Sequence, residues 1–264
     1  MNRTTTVATA FAAVVLAGTD LTAQPAQGTS VGGFSLTFGF VDYDLRDQVL
    51  NPLAHKGRLG SLGLTYEQSG TGSRHRFDLE LAVAPLRSRF ESEWGSVATD
   101  LKLAYRSAWE VARPGRAFAI HVGGVFDVLS HMAYFGKWDD SHVYWLTAYA
   151  LGPTAMATYE AGDAHALTLE ARLPVVALVS RPEALIDYKA ANPDAGWIVK
   201  KLHEGIGLRS LNEHVALDVA LRYQRPVGSR IRGVFWQMIY LQNHQTDSAD
   251  LEVLRYALGI SVGL

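Results

Sequence analysis

Leu254-Arg255-Tyr256-Ala257-Leu258-Gly259-Ile260-Ser261-Val262-Gly263-Leu264 are the last residues of this 264-residue chain. Large apolar side chains stand at Leu254, Tyr256, Leu258, Ile260, Val262 and Leu264. Between them come Arg255, Ala257, Gly259, Ser261 and Gly263, which are charged, small or polar. Successive side chains of a strand point to opposite faces, so this alternation puts every greasy group on one side. A strand of that kind needs a cover for its apolar face, and the bilayer supplies one on the outside of a closed barrel.

The same period recurs upstream. Phe34, Leu36, Phe38 and Phe40 alternate with Ser35, Thr37 and Gly39, and Phe77, Leu79, Leu81 and Val83 alternate with Asp78, Glu80 and Ala82. Leu101, Leu103 and Tyr105 alternate with Lys102, Ala104 and Arg106, and Val215 to Tyr223 repeats the pattern around Asp218 and Arg222. Short Gly-, Pro- and Ser-bearing links at 69–73, 112–116, 160–164 and 225–229 alternate with longer ones at 45–57, 88–96, 131–141, 181–212 and 243–250. Short turns on one side and long loops on the other are the arrangement of an up-and-down transmembrane barrel. The expectation is an all-β, antiparallel barrel of about ten strands, with short periplasmic turns, long outer loops and both termini periplasmic. Twelve strands is the alternative, reached by splitting 142–160 at Gly152-Pro153 or by adding a strand over Gly205 to Leu211.

The beginning of the chain points to export. Met1-Asn2-Arg3 is followed by an apolar run from Val7 to Gly18 and by Leu21-Thr22-Ala23, the pattern of a cleaved signal peptide. Residues 1–23 are therefore expected to be removed, with the barrel over 24–264 as a single domain. No later apolar run approaches the roughly 20 residues of a membrane helix, and an exported membrane protein without such helices must be a closed barrel. Cysteine is absent, which removes disulfides, thiolate metal sites and cysteine nucleophiles. A net charge of -2 gives no basis for nucleic-acid binding. No cofactor is implied.

Tyr66, Tyr105, Trp109, Tyr159 and Tyr223 fall toward the short turns, and Trp94, Tyr134, Trp138, Trp236 and Tyr240 toward the long loops. Two such bands are expected where aromatic rings meet the two interfaces. Residues 181–212 form the longest irregular piece, with helices expected over 182–188 and 197–203. Such a loop caps the barrel, plugs it or meets a protein partner.

The face opposite the lipid carries Glu67, Asp78, Glu80, Asp100, Lys102, Arg106, His121, Asp127, Glu170, Arg172, Asp218, Arg222 and Arg255. Acids and bases are mixed, whereas a charge-selective passage needs one dominant sign. A barrel of about ten strands is narrow enough for these groups to fill it.

Catalytic groups are sparse. No histidine has a serine two residues later, which argues against the barrel-wall His-x-Ser arrangement of outer-membrane lipid hydrolases. Asp42-Tyr43-Asp44 and Asp140-Ser141-His142 lie at the outer ends of their strands. This pair of tripeptides resembles the Asp pair and Asp-His pair of the omptins, ten-stranded outer-membrane proteases. That resemblance implies water activation by Asp42, Asp44, Asp140 and His142. By parity with Phe38 and Phe40, however, Asp42 and Asp44 point outward. His131 and His142 flank Asp139 and Asp140, a pattern that solvated loop polarity explains better than a metal site does.

As a whole the chain resembles the small outer-membrane β-barrels of Gram-negative-type cells, with no named family matched. That resemblance implies outer-membrane lipid and lipopolysaccharide as surroundings, and barrel-assembly machinery that reads the last strand. Leu264 stands where an aromatic residue is usual in that signal. The reading that follows is a non-enzymatic scaffold or binding barrel with a filled lumen. A small-solute channel and an outer-mouth hydrolase are the alternatives, and a secreted lipocalin-like barrel is the soluble one.

Overall fold

A computed structural model describes residues 31–264 apart from 48–50, 89–95, 136–141, 162–164, 183–185, 188–194, 228–229 and 246–247. The expected signal peptide, Asp139, Asp140, Trp94 and Trp138 lie outside the described residues. The strands are β1 (Val31–Asp47), β2 (Asn51–Gly70), β3 (Ser73–Ser88), β4 (Ser96–Ala112), β5 (Phe118–Phe135), β6 (His142–Ala161) and β7 (His165–Arg172). They continue as β8 (Val176–Ser180), β9 (Ile186–Asp187), β10 (Gly207–Ser210), β11 (His214–Val227), β12 (Arg230–Gln245) and β13 (Ser248–Gly263). Among the described residues there is one short helix, α1 (Ala195–Lys201), between β9 and β10.

The sheet closes on itself. β13 pairs antiparallel with β1 from Ser35↔Gly263 to Asp47↔Leu251, so the alternating C-terminal stretch is the seam strand. Along one edge of β6 the partners are β7, then β8, then β9, so these three occupy one position in the wall. β10 pairs with β8 and β11 with β7, both antiparallel, and together they fill the next position. The ring therefore has ten positions, and all pairs are antiparallel. Neither route to twelve strands is taken. β6 runs unbroken through Gly152-Pro153, and the strand at 207–210 is collinear with β11.

Both broken positions break at the same height. Between Ser210↔Val176 and Asp218↔Arg172, residues 211–217 bulge opposite only 173–175. Pro174 has no N–H to give to a ladder, which makes this the place where pairing yields. Leu173 and Val175 still donate to the Pro153 and Leu151 carbonyls of β6. Gly152 permits this, because a Cβ there would collide with the Leu173 carbonyl and the Pro174 Cα.

Strands of 16–20 residues are longer than the ~9–11 that cross a bilayer. They run on into the segments read as loops at 45–57, 131–141 and 243–250. The helix expected over 182–188 does not form at Ile186–Asp187, which pair with His142 and Val143 instead, because the top of β6 offers them an open edge.

Candidate functional site

The surplus strand length inverts the polarity of the wall. On β1, Phe34, Phe38 and Phe40 are exposed outward with polar or small residues inside. From Val41 on, the inward residues are apolar (Val41, Tyr43, Leu45, all buried) and the outward ones are Asp42, Asp44 and Arg46. On β2, outward Leu62 gives way to Arg58 and Lys56. The lower barrel is thus apolar outside and polar inside, as lipid requires, and the upper barrel is apolar inside, as water requires.

The polar level of the lumen is a continuous ion network. Arg106 reaches both Asp78 and Glu170, and Arg222 donates to Glu170 at 2.5 Å. Arg172 donates to Asp218 and lies 3.4 Å from Asp127 and 3.6 Å from Glu170. Lys102 also meets Asp218, which Gln237 holds at 2.8–2.9 Å. Arg255 meets Glu80, and Arg76 lies 2.9 Å from Asp78 and 3.5 Å from Glu67. Six cations (Arg76, Lys102, Arg106, Arg172, Arg222, Arg255) face six carboxylates (Glu67, Asp78, Glu80, Asp127, Glu170, Asp218). Charges this buried are tolerable only when paired in this way. A cavity of about 70 Å³ remains among them, lined by Thr65, Glu67, Arg76, Asp78, Arg222 and Gln237 with others. It holds no more than a few waters.

Arg76 is absent from the sequence-derived set because it precedes Phe77, the first residue of its alternating run. Its cross-strand partner in the register is Arg106, and Asp78 bridges the two guanidiniums. His121 is buried nearer the turn end, outside this network.

Above the ions lies Asp100, hydrogen-bonded to His131 Nδ1 at 2.5 Å. His131 belongs to β5, not to the loop read at 131–141, and it is buried beside the Tyr43 ring. Asp-His pairing of this kind orients an imidazole for base work, but here both residues are sealed under the next layer. That layer contains Leu45, Leu86, Phe135, Tyr144, Leu146, Leu241, Leu251 and Val253, and it closes the upper lumen with hydrocarbon. Arg181 caps it, donating to Tyr144 Oη at 2.8 Å and to Asn243 at 3.5 Å. The polar face read from the sequence therefore stops partway up, because above the lipid the barrel needs a core of its own.

Of the hydrolase candidates, Asp42 and Asp44 are described with their side chains, and Asp140 lies outside the described residues. Asp42 is on the outer face and accepts from Arg58 at 2.6 and 3.2 Å. Asp44 lies 3.2 Å from Lys56. His142 opens β6, its backbone paired with Phe135 and Asp187. Among the described residues there is no group of three or more His, Asp or Glu that fits a metal ion.

Residues 195–206 lie against the outside of the wall. His203 meets the outward Tyr149, with 2.5 Å between Nε2 and Oη, and Ser180 Oγ donates to the Glu204 carbonyl. Trp145 and Thr147, also on the outward parity of β6, are buried.

No family model and no curated protein matches this chain. Among solved structures, it is similar to the outer membrane protease OmpT from Escherichia coli (8% identity, 92% of this chain and 97% of that one, TM-score 0.47). It is also similar to the translocator domain of autotransporter NalP from Neisseria meningitidis (10% identity, 97% and 95%, TM-score 0.37). A third is the attachment invasion locus protein Ail of Yersinia pestis (8% identity, 88% and 99%, TM-score 0.24). These likenesses assign no activity.

Proposed function

We propose that this protein is an integral outer-membrane barrel that works as a non-enzymatic scaffold, with a closed lumen and a binding surface on the part that rises above the bilayer. The observation that carries this reading is the double closure of the lumen, by the ion network at bilayer height and by the hydrocarbon layer above it. Cations and carboxylates are interleaved in the lumen, so no single sign dominates to select an ion, and the cavity lined by this network is about 70 Å³. Asp42 and Asp44 outside the barrel, each beside a cation, weaken the hydrolase reading.

Insertion into planar bilayers tests the proposal. The barrel is expected to stay silent, and steady unitary current steps would replace the scaffold by the channel. Peptide and lipopolysaccharide hydrolysis should be undetectable. Turnover that disappears in His142→Ala would replace the scaffold by the hydrolase. Cleavage after Ala23, assembly by the machinery that reads the last strand, and a protein partner for residues 181–212 belong to the same proposal. The mass of the mature chain, expected to begin at Gln24, checks the first.

A further inference from the structure

Residues 195–208 are tied to the outside of the wall by polar groups. His203 meets Tyr149, and the Glu204 carbonyl accepts from Ser180. Gly205, in the left-handed region, turns the chain from α1 into β10. On the free side, Val199 (59%), Ile206 (42%) and Leu208 (69%) are exposed, and Leu178 beside Leu208 is exposed with them. Lys200 and Glu204 are exposed as well, and Lys201 lies 6.0 Å from the centre of the Trp197 ring. The free side is therefore amphipathic. A helix of seven residues does not hold by itself, and bare aliphatic groups beside Trp and Lys are the make-up of a segment lying in a lipid interface.

Strand register fixes the height of this surface. One cross-strand row of outward residues can be followed around the wall. It leaves Arg225 on β11, passes Arg232 and Val262, crosses β1 at Leu36 and reaches Tyr149 on β6, Leu178 on β8 and Leu208 on β10. From Val262 to Leu208 every member is apolar or aromatic. β10 and β11 occupy the same wall position, so the row returns to where it began, but at the opposite end of the strand: Arg225 stands beside a short turn and Leu208 above the bulge. That offset is the stagger a closed, tilted sheet requires. With strands ~4.8 Å apart and tilted by ~40°, each step lifts the row by about 3 Å, and the whole row climbs by about 30 Å, the thickness of a bilayer's hydrocarbon. Leu178 and Leu208 thus stand at the outer edge of the bilayer, at about the level where β1 and β2 turn Asp42 and Arg58 outward.

We propose that residues 195–208 form an interfacial anchor that lies in the outer leaflet, with Val199, Ile206 and Leu208 against the outermost acyl carbons and Trp197, Lys200 and Lys201 in the headgroup zone. Continuity favours lipid over a protein as the cover. Leu178 and Leu208 are the last members of a row that faces lipid from Val262 onward, and no polar residue of that row separates them from it. The anchor rests on the outer-membrane reading. It leaves the protein partner proposed above to the residues of 181–212 outside this segment.

The chain has no cysteine, so Val199→Cys and Leu208→Cys each carry one fluorophore in phosphatidylcholine vesicles doped with nitroxide lipid. Both positions are exposed, and folding is confirmed by heat-modifiable gel migration. Each label should be quenched about twofold more by a nitroxide next to the headgroup than by one at the chain end, as a segment at the headgroup–acyl boundary requires. Aqueous iodide should reach both less than it reaches Arg46→Cys. Trypsin should cut after Lys200 about tenfold faster in Val199→Gln than in the wild type, the effect of withdrawing one valine-sized apolar group from lipid, and no faster in Val199→Leu. Labels at 199 and 208 that iodide reaches as freely as Arg46→Cys, with Leu258→Cys still quenched from the lipid, overturn the anchor and give the surface to a protein partner. Equal trypsin rates in wild type and Val199→Gln overturn it too. A Leu258→Cys label quenched only from water overturns the outer-membrane reading instead.

Discussion

At the scale of single residues, Glu170 is the hub of the lumen. It is buried, reached by Arg106 and Arg222, and 3.6 Å from Arg172. Removing one partner from a buried ion cluster leaves the others unpaired in a low-dielectric site. Glu170→Gln should therefore cost about 3–5 kcal/mol in urea unfolding from detergent micelles, and a change under ~1 kcal/mol would mean that water enters the network freely. Glu170 was legible in the sequence because it alternates with Leu169 and Ala171. Its partners were not, because Arg106 and Arg222 come from strands far apart in the chain, and the sequence shows only that all three share an inner face. Arg76 was missed for a local reason, since it lies before the first residue of its alternating run.

At the scale of elements, the hydrophobic phase of a strand changes along its length while its geometric parity does not. Leu258 faces outward below the inversion and Arg46 faces outward above it. With no native cysteine, single labels read this cleanly: Leu258→Cys should be quenched by lipid-borne reagents, and Arg46→Cys only by aqueous ones. Equal aqueous quenching at both sites would contradict a bilayer around the lower barrel. The kink opposite the 211–217 bulge depends on Gly152 having no side chain. Gly152→Val should cost about 1–3 kcal/mol and speed the loss of the compact gel band, as overpacking does elsewhere. His203→Ala removes the contact to Tyr149 and should expose Lys200 and Lys201 to trypsin sooner, with ~1 kcal/mol or less lost globally.

At the scale of the whole molecule, the barrel is two stacked bodies with one wall. The lower one solves the problem of a polar lumen in a membrane by pairing its charges, and the upper one packs hydrocarbon as a water-soluble barrel does. Leu86 and Phe135 are fully buried in that upper core. Leu86→Ala and Phe135→Ala should each lower stability by about 2–5 kcal/mol, the usual range for large core truncations. Both should still be silent in planar bilayers, because the ion network below continues to close the lumen. Current through either variant would make the hydrocarbon layer the sole seal.

The sequence alone determined the class of fold and its approximate size. Period-two alternation, the seam strand 254–264 and the rhythm of short and long links require a closed antiparallel sheet with one greasy face. These are local properties, since side-chain direction in a strand depends only on position along it. The tertiary structure decided what the lumen is. Which charges meet, where polar filling gives way to the Leu45–Leu86–Phe135 layer, and why residues 195–206 lie outside the wall all depend on strand register around the ring. Register brings together residues that are over a hundred positions apart, such as Lys102 with Asp218 and Glu80 with Arg255, and no spacing along the chain encodes that distance in space.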